Sequence, residues 1–163
     1  MKNLIVKTVN SLLKPWNAAI VATGHVYSDV DAKVVADIKV CKPFTMTSME
    51  RLLVLDEAAD YITRQGIEGV IVECGVWRGG SSMMMAKTLM NRGDQAREMY
   101  LYDTYEGMSE PTAEDVSLHG SVAEKKYNST IKDGHSDWCF ASLEDVTKNM
   151  QSTGYDMTKV RFV

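Results

Sequence analysis

Val70-Ile71-Val72-Glu73-Cys74-Gly75-Val76-Trp77-Arg78-Gly79-Gly80-Ser81-Ser82 sets the architecture of this chain. The almost wholly apolar run from Gly69 to Cys74 reads as a central parallel strand, buried on both faces. Glu73 lies near its end and glycines permit a tight turn. Ser81 is placed to cap a helix that runs to about Arg92 and stops at Gly93. Strand carboxyl ends that meet a helix N-terminus build small-molecule sites in α/β proteins. Met99-Tyr100-Leu101-Tyr102 reads as a second strand, closed by a second acid, Asp103. Two acids at neighbouring strand ends point to a nucleoside-type ligand.

The flanking sequence fits the same plan. Thr47-Ser48-Met49-Glu50 has the form of a capping box, in which Thr47 and Glu50 satisfy each other's backbone donors. It opens a helix over 48–65 with Met49, Leu52, Leu55, Ala59 and Ile62 on one face and Gly66 as its stop. Pro111-Thr112 predicts a helix weakened at Gly120, with Glu114 and Asp115 favouring its first turn. Ser142 caps another helix, with Leu143, Val146 and Met150 inward and Gly154 ending it. Val160-Arg161-Phe162-Val163 begins a third strand. Toward the N-terminus, a short amphipathic helix ends at Pro15, Tyr27-Ser28-Asp29-Val30-Asp31 starts a further helix, and Cys41-Lys42-Pro43 breaks it.

Strand, helix, strand, helix, strand is half of a doubly wound sheet. The expected fold class is therefore α/β, Rossmann-like, with N-terminal helices. Residues 1–46 form a helical or irregular N-terminal segment and residues 47–163 the ligand-binding domain. An apolar core strand with no polar flank at Val163 leads to the expectation that the natural protein continues and that the sheet is incomplete here.

Composition narrows the classes. The 163 residues suffice for one domain with its own core. A net charge of −4 argues against a broad nucleic-acid surface. Cys41, Cys74 and Cys139 are widely spaced without C-x-x-C, which supports neither a zinc site nor a disulfide framework and points to a reducing cytoplasm. No apolar run approaches the about 20 residues of a membrane span. His25, His119 and His135 are isolated from one another, and His135 follows the turn signal Asp133-Gly134. Met83, Met84 and Met85 read as packing, Cys74 as a small buried side chain, and Lys125-Lys126 as a solvated face.

The turn itself selects among ligands. A dinucleotide fingerprint places a second glycine where this chain has Trp77, so a pyrophosphate is kept at a distance. No Walker sequence occurs either. A ligand with an adenosine and a carboxylate but no phosphate fits better. The N–H groups near Gly80, Ser81 and Ser82 suit a carboxylate, Glu73 an ammonium group, and Asp103, one βα unit further on, a ribose diol. These are the parts needed for S-adenosylmethionine. The same residues also have a structural reading: Glu73 as an acceptor for backbone donors, Arg78 as a surface charge and Trp77 as core.

Three stretches, Thr45-Met46-Thr47-Ser48, Val72 to Gly80, and Leu101-Tyr102-Asp103-Thr104-Tyr105-Glu106-Gly107-Met108, together resemble the macrocin O-methyltransferase (TylF-like) family. The resemblance covers roughly residues 40 to 163; residues 1–39 carry none. It implies a class I methyltransferase fold, S-adenosylmethionine, a magnesium ion, a sugar hydroxyl on a small-molecule acceptor, and self-association. It implies that Glu73, Gly75, Val76, Arg78, Gly79, Gly80 and Ser81 line the methionine end of the cofactor. It implies that Asp103 holds the ribose with Thr104 and Tyr105 beside it, and that Thr45, Met46 and Thr47 approach from the N-terminal side. The family's metal-binding aspartates and general base fall on later strands. The expectation is thus a cofactor half-site, no metal ligands of its own, and no activity from this chain alone. A cofactor-binding module without catalysis and a different α/β enzyme are the competing readings; Trp77 counts against the second of these.

Overall fold

The computed structural model describes residues 29–117, 120–132 and 135–163, with positions 9, 11 and 15. The expected helix before Pro15, the Tyr27-Ser28 start, His25, His119 and the Asp133-Gly134 turn lie outside the described residues. The chain divides into two compact units, Met1–Val35 and Ala36–Val163, and the second holds the sheet.

Asp31 Oδ1 accepts the Lys33 N–H at 2.7 Å and so opens α1 (Ala32–Cys41). Lys42-Pro43 breaks it as expected, leaving a 3₁₀ turn over Lys42–Phe44. Helix α2 (Met49–Arg64) is capped one residue later than the sequence suggests. Ser48 Oγ, not Thr47, accepts the Arg51 N–H at 3.3 Å, which leaves Glu50 at the second helical position rather than the third. The Thr47 N–H turns instead to Thr45 Oγ1 at 3.2 Å. At the other end, Gly66 and Ile67 return their N–H groups to the carbonyls of Thr63 and Ile62, closing the helix where Gly66 predicts.

The remaining elements are β1 (Ile71–Cys74), α3 (Gly80–Arg92), β2 (Met99–Tyr102), α4 (Ala123–Asn128), β3 (Ile131–Lys132), β4 (His135–Ser136), α5 (Leu143–Gln151) and, after a 3₁₀ turn, β5 (Val160–Phe162). The main sheet is parallel, in the order β1-β2-β5, with Ile71 opposite Met99 and Met99 opposite Val160. Strand β2 is thus the central one. The expected central placement of β1 is corrected: among the described residues it pairs only with β2, so Val72 is 54% exposed and Cys74 is exposed rather than buried.

Helix α2 packs on α3, and α3 on α5. Leu52, Met83, Met84, Leu89, Met99, Leu101, Val146 and Met150 are fully buried and Met85 nearly so, so the three consecutive methionines are packing, as their sequence suggests. The apolar period missed a polar layer between the helices. Asp56 accepts from Thr88, Asp37 pairs with Lys87 at 2.9 Å and with Asn91 at 3.0 Å, and Asp60 holds Arg64 at 2.6 Å. Asp60 Oδ1 also faces the Arg92 guanidinium, without a well-aligned hydrogen bond. Ser142 caps α5 by accepting the Asp145 N–H at 3.2 Å. Leu143 is exposed, contrary to expectation, because α5 buries only Val146, Asn149 and Met150.

The helix expected from Pro111 does not form. Thr112 donates its N–H and its hydroxyl to Asp115 Oδ2 at 2.7 and 3.0 Å, a turn that uses Asp115 outside any helix. Val116 then bridges Val122 antiparallel, and among the described residues of this stretch only Ala123–Asn128 is helical, with Lys125 and Lys126 exposed. Strands β3 and β4 pair antiparallel beside it. Among the described residues no helix is long and apolar enough to cross a membrane.

Candidate functional site

Strands β1 and β2 end side by side, Cys74 opposite Tyr102, and the ladder runs one bond further, from the Gly75 N–H to the Tyr102 carbonyl at 2.9 Å. The chain then turns through left-handed backbone at Gly75 (φ +85°), Trp77 (φ +49°) and Gly79 (φ +84°). Glycine adopts this region freely; a residue with a side chain pays roughly 1–2 kcal/mol. Asp103, at the end of β2, holds the turn in place. Its Oδ2 accepts the Val76 and Trp77 N–H groups at 2.7 and 2.9 Å, and its Oδ1 accepts the Tyr105 N–H at 3.2 Å. Burial pushes the Asp103 carboxyl up, but the backbone donors of Trp77, Tyr105, Val76 and Thr104 outweigh it and hold the group below the ordinary carboxylate range. Oδ2 carries two short bonds. Oδ1 carries a longer one.

Glu73 serves the other side of the turn. Its Oε2 accepts from the Ser82 hydroxyl, and the Ser81 hydroxyl and Ser82 N–H add to that bond. Burial raises the Glu73 carboxyl above its usual value; the serine bonds oppose this and the Asp103 charge adds to it. The N-terminus of α3 therefore holds the chain's own carboxylate, and the Ser82 N–H offered in the sequence reading to a ligand is taken. The residue before α3 is Gly79, without side-chain capping, so Ser81 is not the cap; its hydroxyl stands 3.5 Å from Thr45 Oγ1. Gly80 is needed for a different contact from the pyrophosphate approach of a dinucleotide fold. A Cβ there would stand 2.6 Å from the Phe44 carbonyl carbon and 2.7 Å from the Cys41 oxygen.

Arg78 is not a free surface charge. Its Nε and terminal nitrogen bind Asp145 Oδ2 and Oδ1 at 2.8 and 3.1 Å, and its guanidinium lies 4.9 Å from the centre of the Phe44 ring. Asn149 donates to the Arg78 carbonyl at 2.9 Å. The turn is thereby fastened to α5 and to the segment before α2.

Asp103 opens on a cleft of about 450 Å³, with Met46, Gly75, Trp77, Thr104, Met108 and Cys139 on its walls. That volume lies within the roughly 300–1,000 Å³ usual for small-ligand sites. Glu73, Thr47 and Ser81 line a separate cavity of about 390 Å³ with Arg51 and Cys74. The residues expected at one site thus fall on two neighbouring hollows, while Val76, Gly79 and Gly80 are buried in the turn itself. Tyr105 follows Asp103 at φ +57°; its hydroxyl donates to the Leu101 carbonyl at 2.6 Å and its ring meets Phe162 edge-on. Burial and the charges of Asp103 and Glu73 push that phenol up to about 12.

Sequence reasoning missed Trp77, Met108 and Cys139 as wall residues. Met108 lay within a quoted motif, whereas nothing in the sequence marks Cys139, whose backbone is left-handed at φ +56°. Among the described residues with side chains, the non-glycine positions at positive φ are Trp77, Tyr105 and Cys139, all at this end of the sheet; such strain collects at functional sites. Among the described residues no three His, Cys, Asp or Glu side chains come together to hold a metal ion. Glu73 and Asp103 do not fit that role, because their oxygens face hydrogen-bond donors.

A parallel sheet ordered β1-β2-β5 with this turn and acid is consistent with a Rossmann-like methyltransferase fold. A family model described as macrocin-O-methyltransferase (TylF) matches residues 8–163, and the chain belongs to that family. The match begins well before residue 40, so the N-terminal residues share it although their sequence shows no resemblance by eye. The 8-demethyl-8-(2,3-dimethoxy-alpha-L-rhamnosyl)-tetracenomycin-C 4'-O-methyltransferase of Streptomyces olivaceus is 32% identical over 119 residues, covering 73% of this chain and 42% of that protein. The mycinamicin III 3''-O-methyltransferase of Micromonospora griseorubida is 27% identical over 119 residues, covering 73% of this chain and 44% of that one. The chain therefore spans about two fifths of the length of these relatives. Among solved structures, the O-methyltransferase NovP aligns over 73% of this chain and 46% of its own, with a TM-score of 0.58 and 22% identity, a likeness of fold.

Proposed function

We propose that this chain carries the cofactor site of an S-adenosylmethionine-dependent O-methyltransferase whose acceptor is a hydroxyl of a sugar or glycosylated small molecule. The observation that carries the reading is the placement of Asp103: at the end of β2, locked to the Gly75–Trp77 turn and lining an open cleft. Family membership supports the cofactor, and the rhamnosyl group in the Streptomyces relative's name supports a sugar hydroxyl. The cofactor supplies an electrophilic methyl carbon on a sulfonium.

The chain's residues bind and orient. Asp103 Oδ1 accepts a ribose hydroxyl while Oδ2 keeps the turn rigid. Gly75 lets the backbone pass close to the ligand. Met46 and Thr104 shape the cleft, and Thr45, Thr47, Glu73, Ser81 and Arg78 hold the turn from behind. Alignment of this kind is one of the larger contributions a protein makes to a displacement reaction. Removal of the acceptor proton falls to neither acid. Asp103 is held below the usual range, far from the near-neutral value that suits a general base, and Glu73 is committed to Ser82. We infer that the chain by itself binds cofactor without turnover.

Titration calorimetry of the 163-residue chain with S-adenosylmethionine and S-adenosylhomocysteine tests the reading. Binding to the native chain, weakened at least about tenfold by Asp103→Ala, is expected from loss of a charge-assisted bond and of the turn's anchor. Undetectable binding, or equal binding by the variant, overturns it. Methyl transfer by the chain alone would refute the second inference.

A further inference from the structure

Trp77 sits in left-handed backbone between two glycines that adopt the same conformation without strain. A third glycine there would relieve the strain, so the side chain is what the strained position retains. Asp103 Oδ2 fixes the residue through its N–H, and the residue lines the Asp103 cleft. The cleft is anionic and polarisable, with Asp103, Met46, Met108 and Cys139 on its walls; among the described residues that line it, none is cationic. Of the nearby cations, Arg78 is held by Asp145 and Phe44, and Lys126, whose charge reaches Cys139, is exposed on α4.

A wall with an aromatic side chain, beside a carboxylate and with no cation among its lining residues, suits a positively charged ligand. We propose that Trp77 is a specificity-determining residue whose indole face receives the sulfonium of the cofactor and so favours the charged methyl donor over its neutral demethylated product. This rests on the cofactor reading above. It assigns the side chain a task beyond keeping a pyrophosphate out: bound donor is held, and product, having lost its charge on methyl transfer, is released.

The test compares three ligands by calorimetry on the full chain: S-adenosylmethionine, S-adenosylhomocysteine, and sinefungin, whose protonated amine replaces the methylated sulfur. Trp77→Leu is expected to weaken the two cationic ligands by about 5- to 30-fold, the span of a desolvated cation–π contact, and to change S-adenosylhomocysteine by less than about twofold. Trp77→Phe should fall between, since the smaller ring keeps a weaker negative face. If circular dichroism shows that Trp77→Leu does not fold, replacement of tryptophan by fluorinated tryptophan keeps the shape and weakens the ring's negative face. It should lower affinity for the cationic pair alone. Equal losses for charged and neutral ligands, or no loss, overturn the proposal while the cofactor reading stands. If none of the three ligands binds the native chain, the cofactor reading fails and the proposal falls with it.

Discussion

The ends of β1 and β2 lie side by side on one edge of the sheet, yet the chain leaves them in opposite ways. After β1 it makes one turn and enters α3, a helix with eight buried residues whose first turn is held by Glu73, Thr45 and the Cys41–Phe44 backbone. After β2, the described residues between 103 and 142 form short pieces, of which the longest helix has six residues and buries none of them. The first exit is rigid because packing and polar bonds agree. The second is tied mainly by local bonds, such as Thr112 to Asp115 and Thr130 to Ser136 at 2.8 Å, and it leaves hollows. Ligand sites gain from such a pairing: a fixed wall that positions and a looser one that adapts.

Core truncation on the two exits should differ most. Leu89→Ala in α3, fully buried, is expected to cost about 2–5 kcal/mol in urea unfolding, whereas Ile131→Ala, 49% exposed, should cost under about 0.5 kcal/mol. Equal losses would erase the contrast. Next in size, Gly80→Ala forces backbone of Cys41 and Phe44 aside and should cost about 1–3 kcal/mol, while Asp115→Ala in the second exit should cost clearly less. A neutral Gly80→Ala would show that the N-terminal segment does not press on α3. Smaller again, a double-mutant cycle on Arg78 and Asp145, each about one-third exposed, should give a coupling of roughly 0.5–1 kcal/mol that shrinks with salt. No coupling would remove the staple from the account.

The two acids should give the smallest and most particular effect, opposite slopes with pH. The folded Asp103 carboxyl is lowered, so its contribution is present above the ordinary value of about 3.9 and is lost as pH falls through the lower folded value. The folded Glu73 carboxyl is raised, so its contribution is present below about 4.3 and is lost as pH rises through the higher folded value. Asp103→Asn should flatten the acid side of the stability profile, and Glu73→Gln the weakly acidic side. Variants that alter the same limb would show that the two carboxyls do not stand in different environments.

The first exit was legible in the sequence because its signals are local. The apolar run marks β1 and Gly93 the stop of α3, although Gly79 and not Ser81 precedes the helix. The second exit was misread because Pro111-Thr112 and Glu114-Asp115 also suit a turn, and the Val116–Val122 bridge depends on residues brought together by folding. The site was half legible. Glu73 and Asp103 stood out by position, but the sequence did not choose between ligand and backbone as their partner. Distance geometry chose: Asp103 N–H partners lie on residues 76 and 77, and Glu73 partners on Ser81 and Ser82. The acids buried on α2 were hidden for the same reason, since Thr88 and Arg92 reach them from another helix.

Backbone hydrogen exchange with and without S-adenosylhomocysteine tests the central claim most directly. Protection is expected at residues 75–79 and 103–108, with the 143–151 helix unchanged, and Asp103→Ala should abolish it. Protection confined to other segments, or none at saturating ligand, would contradict a cofactor site built on the paired ends of β1 and β2.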